Sequence, residues 1–398
     1  MRCPRTILAA AVLPGLLLAC GPRSSGPAAT SQGWAAWRHA DNAYADRFQV
    51  WQRGDDRFLL VFGHGGPQDT VGRYWISEDA TAPPPVAAVR FDPRLKEVAT
   101  GSTTHVPYLA ALGSLNAIIA CAHAGQVRDT AFVGCVRQGR VREIAMGEGL
   151  DREALIAMRP QALFGYPFGR GDAGVLERAG IPVIEVSEYL EEHPLGRAEW
   201  LRFFGVLFGR EREADSLFAG IRQRYESVRV ENTEGDRASV LFGSVWNGQW
   251  WVPPGNSYMA RLIADAGGRY VFADRTGNGN IAVDMETMIT VGAQADTWGM
   301  IANVDGEPSV RDFTGGDARL AEFKAVKEGR LFMANAANED IFGQALIEPD
   351  EVLMTLQENV HPGLVVDHPS GYRPKYFAGM YKEVVPPRIR MERFVVPQ

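Results

Sequence analysis

Three of the nine tryptophans, Trp246, Trp250 and Trp251, fall within what reads as one short loop of this 398-residue chain. They follow an apolar run, 238–243, that reads as a strand. In open α/β folds, ligands bind beyond the carboxyl ends of the strands. Indole rings there offer flat, rigid apolar area and an N–H donor, which suits a large ring-bearing ligand. Other strand-like runs end in further candidates. Thr104 and His105 follow 97–100, Tyr166 and Phe168 follow 162–165, and Tyr189 stands beside Glu188 after 182–186. These residues are the candidate ligand contacts. The alternative is that the rings only pack the interior of a lobe or the contact between lobes.

Covalent chemistry has little support. The chain has no Gly-x-Ser-x-Gly elbow, no His-Glu-x-x-His and no Gly-x-x-x-x-Gly-Lys phosphate loop. His64-Gly65-Gly66 is similar to an oxyanion loop, but no nucleophile elbow follows it, and a turn accounts for it. The seven histidines are scattered, with no pair at metal-ligand spacing on a helix. No catalytic residue, metal ligand or cofactor is assigned. Two rivals set conditions a structure can test. A binder of free zinc or manganese ion needs several of His64, His105, His123 and Glu339 to converge. An exported hydrolase needs a serine or cysteine within reach of a histidine.

The elements that must position these residues begin after a targeting segment. Arg2 and Arg5 precede an apolar stretch, 7–19, too short to span a bilayer as a helix. This is the pattern of a secretory signal, here 1–19. It ends Leu17-Leu18-Ala19-Cys20, which resembles the bacterial lipobox whose cysteine is lipidated. A tether rich in Gly, Pro, Ser and Ala follows, 20–38. The expected location is therefore outside the cytoplasm, facing the periplasm or the cell exterior. The only hold on the membrane is the lipid at Cys20. Lys plus Arg is 41 against 48 Asp plus Glu, a net charge of −7, which argues against nucleic acid as a partner. In an oxidising compartment Cys121 and Cys135 are candidates for a disulfide, with two buried thiols as the alternative.

The body divides by pattern. A β-rich segment, 39–94, contains a hairpin around Arg53-Gly54-Asp55-Asp56. Strand–helix alternation then gives a first α/β lobe, 95–208. One long helix lies in 209–230, a second α/β lobe covers 231–380, and a tail takes up 381–398. The fold class is α/β: two lobes with mostly parallel sheets, joined by a single long helix, with a ligand cleft between them. One internal echo supports this. Asp151-Arg152-Glu153 and Asp284-Met285-Glu286 each open a helix, at equivalent places in the two lobes. Each Asp can cap its helix and each Glu lies in the first turn, near the positive end of the dipole.

Three stretches carry a family resemblance: Val98-Ala99-Thr100-Gly101-Ser102-Thr103-Thr104-His105, the run 188–200 from Glu188-Tyr189 to Glu199-Trp200, and the run 254–268 from Pro254-Gly255-Asn256 to Gly267-Gly268. They resemble the substrate-binding proteins of bacterial ABC importers for iron–siderophores, haem and vitamin B12. The resemblance covers segments from Glu97 to Phe377 and leaves out the hairpin region and the tail. It implies a rigid monomer that binds a metal chelate (ferric siderophore, haem or cobalamin) and passes it to the importer's permease. It also implies docking on that permease through one acidic residue per lobe, Glu153 and Glu286. The plainer alternative is that both glutamates only favour a helix dipole. The stretch Ala337-Asn338-Glu339-Asp340-Ile341-Phe342-Gly343 is poorer in aromatics than its counterparts in that family.

Overall fold

The computed structural model describes residues 33–361 and 375–380, apart from 80, 82, 148, 167–169, 231–236 and 247–248. The signal segment, Cys20, most of the tether, Phe168 and the tail lie outside these residues, as does the side chain of Trp246.

Alternation of side chains builds the first sheet. Its strands are β1 (Arg38–Ala40), β2 (Phe48–Arg53), β3 (Asp56–Phe62), β4 (Thr70–Ile76) and β5 (Val89–Phe91), hydrogen-bonded in that order. Gly54, at φ +56°, closes the β2–β3 hairpin. Phe48, Val50, Leu59, Val61, Tyr74 and Ile76 face the main core, and Trp37, Phe58 and Trp75 form a small cluster of their own.

The first lobe carries β6 (Val98–Thr100), α1 (Val106–Ala111), β7 (Ile118–Cys121), α2 (Thr130–Arg137) and β8 (Arg142–Glu143). After a small ribbon, β9 (Ala145–Met146) with β10 (Gly149–Leu150), come α3 (Arg152–Met158), β11 (Ala162–Gly165), α4 (Arg170–Arg178) and β12 (Val183–Glu185). Its sheet is parallel throughout, in the order β12-β11-β6-β7-β8. Both faces are covered, so its strands are apolar on both sides: Ala99, Ala120, Leu163 and Val183 pack with Leu155 and Leu176, while Val98, Cys121, Phe164 and Ile184 enter the main core.

Two helices follow. Helix α5 (Pro194–Phe208) is apolar nearly all round and almost wholly buried, as befits a central helix. Gly209, at φ +63°, ends it and turns the chain into α6 (Glu211–Val228). Helix α6 is the long bridging helix. It packs on α5 and reaches the second lobe through Tyr225, whose OH donates to Asp265 Oδ2 at 2.7 Å, and through the Arg224–Asp350 ion pair.

The second lobe contains β13 (Ser239–Phe242), β14 (Ser244–Trp246), β15 (Gln249–Val252), α7 (Tyr258–Asp265), β16 (Arg269–Tyr270) and β17 (Ile281–Val283). It continues with α8 (Met285–Gly292), β18 (Thr297–Ala302), α9 (Val310–Thr314), α10 (Ala318–Ala321), α11 (Lys324–Lys327), β19 (Leu331–Asn335), α12 (Pro349–Val360) and β20 (Ala378–Gly379). Its main sheet runs β16-β13-β18-β19-β20, parallel except for β20.

The orders β12-β11-β6-β7 and β19-β18-β13-β16 are the same path through the lobe, with β6 matching β13 and α3 matching α8. The internal echo lies at matched positions. Asp151 accepts from Ala154 N at 2.9 Å and Asp284 from Thr287 N at 2.7 Å, capping the two equivalent helices.

Two expectations need correction. Cys121 and Cys135 are free, buried thiols, and the disulfide is not formed. The Cys121 Sγ donates to Ala122 O at 3.3 Å, and burial pushes this thiol up to about 12, which keeps it protonated. The tryptophan segment is no loop. It is the β14–β15 hairpin, joined by β17 into a three-stranded sheet. Gly243, at φ +151°, permits the turn out of β13, because a Cβ there would lie 2.7 Å from Trp251 O.

Candidate ligand-binding cleft

A cavity of about 660 Å³ opens between the lobes, at the carboxyl ends of their strands. That is within the usual size of small-molecule sites.

The first lobe contributes short turns. Ser102 caps the turn Thr103–His105 and accepts from Thr104 N at 3.1 Å. Thr104 Oγ1 lies 2.9 Å from Ser102 Oγ and donates to Glu188 Oε1 at 2.6 Å. Glu188 opens a second turn, Glu188–Leu190, after β12. It is 1% exposed, and burial raises its carboxyl above the ordinary range, opposed by the Thr104 bond and the Arg197 charge. Its Oε2 is buried with no hydrogen-bond partner among the described residues. Such an oxygen is costly unless a ligand or water meets it.

The second lobe contributes rings and neutral polar groups. Trp251, Tyr258, Phe242 and Phe342 line the cavity with Asn256, Met259 and the segment 277–280. Trp251 Nε1 is buried without a partner among the described residues, so each wall of the cavity holds a residue with one unmatched polar atom, a donor on Trp251 and an acceptor on Glu188. Phe342 is 53% exposed, an unusual state for a phenyl ring unless something covers it.

Two contacts cross the cleft. The Arg197 guanidinium of α5 stacks 3.7 Å over the Tyr258 ring of α7, and its Nη2 donates to Tyr189 O at 2.9 Å. Asn256 Nδ2 donates to Glu192 Oε1 at 2.8 Å, while Asn256 Oδ1 accepts from Gly277 N at 2.9 Å.

Of the expected contacts, Thr104, Tyr189 and Trp251 line this cavity. Trp250 does not. It is 1% exposed and packs on Trp298, with centroids 5.4 Å apart. The reason is register: neighbours in a strand point to opposite faces, so Trp250 and Trp251 cannot both face a ligand. Trp246 ends β14, opposite Gln249.

His105 is a second correction. It is fully buried among Phe164, Tyr166 and Phe204, and burial lowers its pKa to about 3, so it is a neutral core residue. Tyr166 lines a separate cavity of about 180 Å³ in the first lobe, beside His123. Its OH donates to Ser102 Oγ and lies 3.4 Å from Thr104 Oγ1, so it supports the contact residue from behind.

Glu153 and Glu286 are both exposed in the first turns of α3 and α8. Sequence reasoning missed Arg47, Arg197, Asn256 and Tyr258, and it weighed His64 only as part of a turn and as a ligand for the metal-ion rival. Arg197, Asn256 and Tyr258 lie inside the stretches that carried the family resemblance, and Arg47 carries no local signal.

The rivals' conditions are not met among the described residues. No three His, Cys, Asp or Glu side chains are placed to hold a metal ion, and His64 and His123 line different cavities. The cleft residues are held in hydrogen bonds among hydroxyls, carboxylates and amides, with no serine or cysteine bonded to a histidine side chain among the described residues. No helix of the described residues is long and apolar enough to cross a membrane.

Comparison with known proteins agrees with this geometry. An uncharacterized lipoprotein of Methanocaldococcus jannaschii is 29% identical over 230 residues, covering 56% of this chain and 54% of its own length. The chain thus spans about half the length of that relative. A periplasmic haem-binding protein from Pseudomonas aeruginosa superposes with a TM-score of 0.54 at 18% identity, over 67% of this chain and 93% of that one. An ABC-type Fe3+-hydroxamate transport system protein from Saccharomonospora viridis superposes with a TM-score of 0.53 at 20% identity, over 68% and 95%. These two likenesses show the shared two-lobed fold. The sequence profile described as "Periplasmic binding protein" matches residues 98–337, the span from β6 to just past β19. With its paired lobes, bridging helix and interlobe cavity, the chain belongs to the periplasmic binding protein family.

Proposed function

We propose that the protein is an exported lipoprotein that captures a metal chelate and delivers it to an ABC importer. The chelate is a ferric siderophore, haem or cobalamin. The chain acts as a monomer, held at the membrane through lipid on Cys20, and meets the permease through Glu153 and Glu286. One observation carries this reading: a cavity of about 660 Å³ with a ring-lined wall on one lobe and a hydrogen-bonded polar wall on the other. Aromatic area supplies burial for a bulky ring-bearing guest, and Thr104, Glu188 and Trp251 Nε1 orient it. The bridging helix α6, packed on both lobes, favours a small closure on binding. The haem and Fe3+-hydroxamate proteins of similar fold support this class of guest. Rim carboxylates on matched helices suit docking, since exposed charges set orientation and encounter more than affinity.

Titration of the chain's tryptophan fluorescence with haemin, cyanocobalamin and ferric siderophores tests the reading. Saturable one-to-one quenching by one of these, lost in Trp251→Ala, is the expected result. Absence of any response at micromolar concentration counts against it.

A further inference from the structure

The five-stranded sheet β1–β5 precedes the residues matched by the family profile, yet it is bolted to the first lobe. Two buried carboxylates of the lobe hold it. Glu199 accepts from Ala43 N, Tyr44 N and Ala45 N, each at 2.8 Å. Glu191 accepts from Asp46 N at 2.9 Å, Arg47 N at 3.0 Å and Trp200 Nε1 at 2.9 Å. Carboxylates this deep are tolerable only with such donors, and in return they fix five consecutive amides of the segment before β2. Farther along the sheet, Tyr74 OH accepts from Glu185 N at 2.6 Å and donates to Val183 O at 3.3 Å, tying β4 to β12.

The last residue of the clamped segment is Arg47, and Arg47 lines the interlobe cavity. Its Nε donates to Leu190 O at 3.3 Å, and its Nη1 to Gly63 O at 3.1 Å and His64 O at 3.4 Å. These bonds set both the guanidinium and the β3–β4 turn that brings His64 to the same cavity. All three partners are neutral carbonyls. Among the described residues Arg47 forms no ion pair, and its Nη2 donates to nothing. Arg197, the other guanidinium of the cavity, stacks on the Tyr258 ring, donates to Tyr189 O and offsets the charge of Glu188, although its Nε too has no partner among the described residues. A positive group held in place, with a free donor and no carboxylate in ion-pair contact with its guanidinium among the described residues, is a ready partner for a carboxylate.

We propose that the N-terminal sheet forms a third wall of the cleft, where Arg47, with His64 beside it, binds a carboxylate on the periphery of the guest. The inference rests on the chelate reading and narrows it to guests that bear such a group. It also gives the sheet a role in selection.

The test compares the full chain with Arg47→Gln, Arg47→Lys and His64→Ala. Three probes are used: haemin and ferric citrate, which carry carboxylates, and a neutral ferric trihydroxamate. Melting temperature is followed in parallel. The expected result is that the chain binds a carboxylate-bearing probe and that Arg47→Gln weakens it roughly tenfold or more. Arg47→Lys restores most of the loss, His64→Ala gives a smaller one, and the wild-type advantage shrinks with added salt. Any affinity for the neutral probe stays within about twofold. A chain that binds only the neutral probe overturns the inference. So does an Arg47→Gln variant that matches wild type, or one that loses all probes equally together with a fall in melting temperature. In those cases the chelate reading stands. A wild type that binds none of the three overturns both.

Discussion

After β12 the first lobe makes a tight turn and presents Glu188 and Tyr189 to the cavity. After β13 the second lobe instead folds the β14–β15 hairpin, and presents Trp251. The strand paths of the two lobes are the same, but their cleft chemistry is not. The first wall is charged, buried and knit by hydroxyl and carboxylate bonds; the second is ringed and neutral. Strand order thus determines where a binding surface lies. What covers it depends on the short segments beyond each strand, which can change without disturbing either sheet. A guest between such walls gains burial from one side and orientation from the other.

The sharpest way to break the comparison uses the adjacent tryptophans of the second wall. Trp250→Ala empties a fully packed site against Trp298 and is expected to cost about 3–5 kcal/mol of stability, seen as a large drop in the denaturant midpoint. Trp251→Ala removes a ring facing the cavity. It is expected to cost only about 1 kcal/mol of stability while weakening the guest roughly tenfold or more. If Trp250→Ala abolished the ligand response with an unchanged melting curve, the division between core and cleft faces of β15 would be wrong.

These two residues also show what was legible in the sequence. Strands, helices and the capping pair Asp151 and Asp284 were readable, because propensity, alternation and caps are local. The run of tryptophans correctly marked the end of a strand, but read as a loop it gave no register, and register alone separates Trp250 from Trp251. His105 failed for a related reason: position after a strand does not reveal that the ring turns inward towards Phe164 and Phe204. Arg47 left no trace at all, and His64 stood out only in a turn and as a ligand for the metal-ion rival. Their place in the cleft depends on Glu191 and Glu199, which are more than a hundred residues away in sequence.

The second test separates the lobes by pH. Burial pushes Glu191 up to about 7, against the pull of its three N–H donors, whereas an ordinary glutamate lies near 4.5. A carboxyl raised on folding contributes stability that is fully present below its unfolded pKa and is lost as pH rises through the folded one. Stability is therefore expected to fall between about pH 4.5 and 7, by up to about 3 kcal/mol from this group. Glu188, also raised by burial, acts in the same direction. In the second lobe burial raises Asp296, but bonds from Lys324, Ser239 Oγ and Ser239 N outweigh it and hold the group at about 2. Its contribution is present above the ordinary 3.8 and lost only as pH falls through 2, so it is flat across the window. Denaturant unfolding at several pH values checks this. Glu191→Gln is expected to flatten the slope, and Asp296→Asn to leave it. An unchanged slope in Glu191→Gln would remove the first lobe's acids as its source.

The smallest effect on stability, and the finest test of equivalence between the lobes, concerns Glu153 and Glu286. Each is exposed in the first turn of a helix capped by an aspartate, α3 before β11 and α8 before β18. If both glutamates served only the helix dipole, Glu153→Gln and Glu286→Gln would each cost about 0.3–1 kcal/mol and leave transport untouched. If they meet the permease, stability and chelate affinity stay nearly constant while uptake by cells carrying the importer falls. Added salt should then lower the wild-type rate towards that of the variants, since rim charges act through screened encounter. Similar losses from the two single changes are expected from matched positions, with a larger loss in the double variant. A loss confined to one lobe would mean that the shared strand order carries a shared cap but not a shared dock, and that the repeat of Asp-x-Glu reflects helix chemistry alone.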